Sequence, residues 1–200
     1  MADDAGALLV RSGLVTADAL ELARALVQSE GGTIGEHLVA TGALSDDTLT
    51  EFYRTRLLVP QVNPNTLARL PEHVIAAIPV DMAIDLRVIP VAMADGITIA
   101  MGDPSSRVAV DEVGQFVGTY VVRSVATQLQ LAWCLAHYYG HVTTLGQRLL
   151  QAGAEASAEL GADPGAKSGA AFPEATSPPR RSRGVTSKVN AARHRAMAPI

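Results

Sequence analysis

The sequence predicts an α/β fold of the α+β type: a pair of helical repeats, a small three-stranded sheet packed with helices, and a disordered C-terminal tail. Three observations carry that prediction. A glycine- and leucine-rich motif recurs at an offset of 29 residues, starting at Gly6 and again at Gly35. Asp95-Gly96 sits between two β-rich runs, a strong hairpin signal. After Gly140 large apolar residues thin out, and from Gly161 onward Ala, Gly, Ser, Pro and Arg dominate.

The repeat sets the first domain, residues 3–58, with copies at 6–29 and 35–56. Matching positions are Gly6/Gly35, Leu9/Leu38, Val10/Val39, Gly13/Gly42, Val15/Leu44, Thr16/Ser45, Asp18/Asp47 and Leu20/Leu49. Gly13 and Gly42 fit helix C-caps, where the backbone turns left-handed. Thr16 and Ser45 fit the N-caps of the following helices, with acids in the positive first turns. Each copy therefore reads as a short helix, a tight turn and a longer helix. Residues 59–64, with Pro60 and Pro64, read as an extended linker.

Residues 65–141 read as a small α/β unit. Pro71 and Pro79 open short helices. Val88–Ala94 and Ile97–Met101 form the hairpin, with Pro90 confining the first strand to an edge or to its own start. Val108–Phe116 is a helix closed near Gly118, Tyr120–Val125 a third strand, and Thr127–Tyr139 a closing helix. The helices are expected to cover one face of the sheet, and the core to end at Tyr138-Tyr139. Residues 142–200 read as a low-complexity, mostly disordered tail, with one short helix near Leu145, Leu149 and Leu150.

Composition narrows the function classes. Hydrophobic residues make up 48%, enough for a core, but aromatics only 4%, so the core is aliphatic. No apolar run approaches the roughly 18–20 residues that cross a bilayer, and the acidic N-terminus lacks the basic start of a signal peptide. Cys134 is the only cysteine, which excludes an intrachain disulfide and makes the cytoplasm the expected location. Up to residue 141 there are eight arginines, no lysine and 16 acids, a balance of −8. From Pro178 onward there are six basic residues and no acid. Two readings of that tail stay open: polyanion or protein contact, and simple solvation.

Catalytic constellations are scarce. The five histidines (37, 73, 137, 141 and 194) have no convincing metal spacing, although His137 and His141 share a helix face. Cys134 lies in an apolar helix and reads as a buried structural thiol. Gly161 to Ser168 nearly matches a phosphate loop, but Ala166 replaces the second glycine and no strand precedes it. The expectation is a non-enzyme that requires no cofactor and no metal.

The repeated pattern, together with Ile78-Pro79, Val88-Ile89-Pro90-Val91, Ile97–Pro104 and Tyr138-Tyr139-Gly140, resembles the N-terminal (MshEN or GspE N-terminal type) domain of type II secretion and pilus-assembly ATPases. The resemblance covers about residues 3–141 and omits the ATPase motor, which implies a stand-alone adaptor or regulator. It implies docking onto an inner-membrane platform component of a secretion, pilus or motility apparatus. It also implies an alternative, a regulator binding cyclic di-GMP along the two repeats. The residues carried over for that ligand are Gly6, Leu9, Val10, Gly13, Leu14, Val15 and Leu20 in the first copy. The second copy gives Gly35, Leu38, Val39, Gly42, Leu44 and Leu49. The family's polar contacts do not carry over. Its Arg positions hold Asp4 and Thr33, and its closing Gln positions hold Val27 and Arg56. Arg11, Arg24, Arg54 and Arg56 are the nearby cations that could compensate.

Overall fold

The computed structural model describes residues 5–159. The N-terminal third is four helices: α1 (Ala5–Arg11), α2 (Ala17–Glu30), α3 (Ile34–Ala40) and α4 (Asp46–Leu57). Thr16 and Ser45 cap α2 and α4, accepting from Ala19 N and Thr48 N at 3.2 Å each. Thr33 caps α3 in a reciprocal box with Glu36. Leucines at helical spacing from both copies meet in one cluster, with Leu9, Leu38 and Leu49 almost inaccessible to solvent.

Three short helices follow: α5 (Pro64–Leu67), α6 (Glu72–Ile75) and α7 (Val80–Leu86). The sheet consists of β1 (Val88–Met93), β2 (Ile97–Met101) and β3 (Val121–Val125), in the order β1-β2-β3. β1 pairs antiparallel with β2, and β2 parallel with β3 through α8 (Arg107–Val117). β1 is an edge strand, and its register shifts between Pro90 and Ala92, where proline cannot donate. Gly96 does not adopt a positive φ. It is glycine because a Cβ there would lie 2.5 Å from the Tyr120 ring.

The sheet is covered on both faces rather than one. Ile97, Ile99 and Met101 pack with Ala109 and Val113 of α8, and with Ala83 of α7. Ala100 and Ile89 pack with Leu131, Cys134 and Leu135 of α9 (Gln128–Tyr139). Strand side chains alternate in direction, so the near-continuous apolar run Ile97–Met101 is the pattern of a strand buried on both sides.

Residues 59–63 are extended but not a free linker, and Pro64 already opens α5. Val62 N donates to Val125 O at 3.0 Å, and Val125 N to Pro60 O at 2.9 Å, adding a one-residue parallel bridge at the outer edge of β3. Val59 and Val62 are buried. The core also continues past Tyr139. A 16-residue helix, α10 (Thr144–Glu159), packs on α9 and α3 and buries Leu145 and Leu149. The expected short helix is thus twice anchored and belongs to the folded body. The phosphate-loop-like stretch and the basic segment lie outside the described residues.

Candidate functional site

The repeats build the site. At the end of α1, Leu14 N donates to Leu9 O and Gly13 N to Val10 O, the paired bonds that close a helix through a left-handed residue. Gly13 has φ +71° and Gly42 φ +72°, and an added Cβ at either would meet nothing within 4 Å. The second copy differs slightly: Gly42 N donates to Val39 O, but Leu44 N, one residue later than expected, reaches Leu38 O.

The thirteen residues singled out in the sequence divide by exposure. Gly6, Leu9, Val15, Leu20, Gly35, Leu38, Leu44 and Leu49 are buried; Val10, Leu14 and Val39 are half-buried; Gly13 and Gly42 are exposed. The aliphatic pattern thus forms chiefly the core between the two copies, leaving the two glycine turns at the surface. Gly35 is a packing glycine: a Cβ would lie 3.0 Å from Leu49 Cδ2 and 3.2 Å from Gln128 Nε2.

Between the first turn and α4 lies an open groove of about 450 Å³, lined by Leu14, Asp47, Thr48, Glu51, Phe52 and Thr55. The five α4 residues follow helical spacing, so one face of α4 forms the wall. Leu14 and Phe52 supply the apolar floor, while Asp47 and Glu51 supply an acidic rim. Arg54 grips Glu51 with two hydrogen bonds, Nε at 2.7 Å and Nη2 at 2.8 Å. That grip holds the Glu51 carboxyl below its ordinary range. Arg56 Nη2 stands 3.5 Å from Ser12 Oγ, beside the Gly13 turn. Arg24 lies 3.6 Å from Glu21. Sequence reasoning missed this groove, although the Asp47–Glu51–Thr55 spacing on α4 was its available signal.

Two polar links, one half-buried and one buried, fasten the second copy to the α/β half. Asp46 Oδ1 accepts from Gln128 N at 2.8 Å and Oδ2 from Leu129 N at 2.9 Å, so it caps α9 from 82 residues away. Burial holds its carboxyl above the ordinary carboxylate range, opposed by those two N–H donors. Glu36 pairs with Arg87 at 3.2 Å, both largely buried. Thr33, at one family Arg position, is the α3 cap; Val27 is half-buried; Asp4 lies outside the described residues.

Burial pushes the Cys134 thiol up to about 12. His37 is buried, with Nε2 2.8 Å from Gly31 O, and His137 stacks on Trp133 at 4.5 Å. Among the described residues no three His, Cys, Asp or Glu side chains converge as metal ligands. None of the described helices is long and apolar enough to cross a membrane.

Residues 57–145 match the MshEN domain family, a span that begins at the end of α4 and takes in the α/β half. The chain is 33% identical over 135 residues to the type IV pilus assembly ATPase PilB of Myxococcus xanthus, covering 67% of this chain and 24% of the relative. It is 28% identical over 137 residues to PilB of Thermus thermophilus, covering 67% and 15%. The chain thus spans at most about a quarter of these relatives. Among solved structures, MshE with cdg shares 26% identity at a TM-score of 0.49, covering 68% of this chain and 99% of that one. The N-terminal domain of XpsE shares the fold at 21% identity and a TM-score of 0.52, covering 64% and 88%. Residues 57–145 thus match the MshEN domain family, the chain is similar in sequence to pilus-assembly ATPases over part of their length, and it shares the fold of the XpsE N-terminal domain.

Proposed function

We propose that the chain is a non-catalytic docking module, an adaptor that binds a protein component of a secretion, pilus or motility apparatus through the α4 groove. One observation carries this reading. The repeat leucines are consumed by the core, and the surface they leave is an open groove with an apolar floor and a polar rim. That is the anatomy of a protein contact, with an apolar centre to be desolvated and hydrophilic edges. The partner inferred from the family is an inner-membrane platform component. It would hold the module at the cytoplasmic face of the membrane, where the basic residues after Pro178 would add contact with polyanions such as anionic lipid.

The test places a photo-crosslinking side chain at Thr48 of the full chain in its native cell. The expected product is one adduct with an inner-membrane component of the apparatus, lost when Thr55→Arg and Glu51→Arg fill and recharge the groove. Adducts that persist in that variant, or none at all, overturn the assignment of the groove.

A second reading, a regulator that binds cyclic di-GMP, is favoured by the turns. Gly13 and Gly42 both leave their backbone open to close approach. Arg56, beside Ser12, puts a guanidinium where a phosphate above the first turn would meet it. In this reading Val10, Leu14 and Val39 touch the ligand, while the buried leucines support them from beneath.

A further inference from the structure

We propose that the outer edge of β3 docks a second copy of this chain, the two β3 strands pairing antiparallel across a two-fold axis at Val122. The site lies apart from the α4 groove and does not depend on the docking reading.

The open edge follows from the ladder. Ile97 N donates to Tyr120 O and Ala126 N to Met101 O, so the even-numbered residues of β3 turn their backbone toward β2. The odd-numbered residues turn theirs outward. Val125 shows this, since its N–H and C=O are taken by Pro60 O and Val62 N. Among the described residues, nothing bonds the outward N–H and C=O of Val121 and Arg123. The side chains leave the way clear. Val121 packs under α8, its Cγ2 3.5 Å from where a Gly114 Cβ would stand. Val122, beside Thr98 on the face that α9 covers at Ala100, is left 41% exposed.

The two edges of the sheet are treated differently. β1 carries Pro90 and a register shift, and α6 and α7 pack against it. Such devices blunt an edge that would otherwise template another strand. Residues 120–125 of the β3 edge hold no proline, glycine, lysine or acid. Their one charge, Arg123, is tied to Pro104 O at 2.9 Å. The chain itself already adds a parallel segment to this edge, at the Gln61–Val125 bridge, so a second copy would continue an interface present in the fold.

The occupant is a second copy because the edge is self-complementary. Four outward groups are available, two on Val121 and two on Arg123, and Pro60 and Val62 close the edge beyond them. A two-fold pairing centred on Val122 is the one register in which all four pair among themselves. Val121 N–H meets the second copy's Arg123 C=O, Arg123 N–H its Val121 C=O, and symmetry repeats the exchange. Each Arg123 stands opposite a valine, so no like charges face each other directly. Val122 meets its own copy at the close, non-hydrogen-bonded position, Cα atoms about 4.5 Å apart. A pairing this short belongs with interfaces below about 1,200 Å², which makes the dimer weak and concentration-dependent.

The test uses the full chain at submillimolar concentration. Sedimentation should show a monomer–dimer equilibrium. Val122→Lys, at an exposed position, sets two like charges face to face and should weaken dimerisation about tenfold with the circular dichroism unchanged. Val122→Cys should form an intermolecular disulfide under mild oxidation, because its spacing lies within the roughly 4.4–6.8 Å between Cα atoms that a disulfide spans. Val108→Cys, on α8 and 62% exposed, is the control and should cross-link about tenfold more slowly. Cys134 is buried and takes no part. A chain that stays monomeric throughout would overturn the inference. So would a dimer that Val122→Lys leaves unchanged, or equal cross-linking at positions 108 and 122.

Discussion

Removing Asp46 should loosen the repeats from the sheet. The first turn of α9 has its amide donors matched one by one. Thr127 N donates to Gln130 Oε1, Gln130 N to Thr127 Oγ1, and Leu131 N to Thr127 O. Gln128 N and Leu129 N have Asp46 as their partner. Asp46→Ala strips both acceptors and leaves the Thr127 box intact. A buried donor left unpaired costs about 1–3 kcal/mol, and Asp46 is only half-buried, so water recovers part of it. The expected loss is about 2–3 kcal/mol, a fall in Tm of about 5–10 °C at this chain size. Asp46→Asn keeps one oxygen and should lose about half as much. Urea unfolding followed by circular dichroism reads both, with a constant slope if the two halves still melt together. The pH dependence has a definite sign. Burial raises the folded-state pKa of Asp46 above its ordinary 3.8. The group's contribution to stability is therefore fully present below that value and is lost as pH rises through the folded one. The stability advantage of the native chain over Asp46→Asn should be larger near pH 4 than near pH 7. A loss below about 0.5 kcal/mol for Asp46→Ala would refute the reasoning, because the link would then contribute nothing beyond water.

Gly42→Ala should cost about 1 kcal/mol, since φ +72° is strained for alanine while the space above it is free; a chemical melt within error of the native chain contradicts this. Glu36→Gln should cost more, about 3–5 kcal/mol, by leaving Arg87 charged and without its buried partner. The same melts read it, and a loss under about 1 kcal/mol would show that water already reaches the pair. The Cys134 thiol, pushed up to about 12, stays protonated at neutral pH, so iodoacetamide should modify it only as fast as the fold opens. Alkylation at the rate of a free peptide thiol would contradict its burial.

What could be read from the sequence was local. Thr16, Ser45 and Thr127 announce their helices because an N-cap is a property of a few adjacent residues. Gly13, Gly42, Gly118 and Gly140 announce helix ends, and all four adopt positive φ. The apolar runs at 88–93 and 97–101 announce the hairpin. The contacts that assemble these pieces were not legible, because they join residues with no sequence relation. Asp46 read as a first-turn acid of its own helix, yet its side chain serves α9. Pro60–Val62 read as a linker, yet it pairs with Val125. The leucines of α10 are too few to outweigh a polar, alanine-rich context until their seat on α9 and α3 is known. The site was half legible: the glycine turns and their spacing could be read. Which leucines face inward depends on the second repeat packing against the first, and that is a tertiary fact. The α4 groove is likewise tertiary, lined by Leu14 of one copy and Phe52 of the other.

The most direct test of the docking reading is a calorimetric titration of the full chain with cyclic di-GMP. Silence at about millimolar ligand, near −4 kcal/mol or weaker, is the predicted result, because the repeat leucines are committed to the core and Arg54 is held by Glu51. Saturable binding at micromolar concentration, abolished by Arg56→Glu, would contradict it and make the repeats a nucleotide sensor.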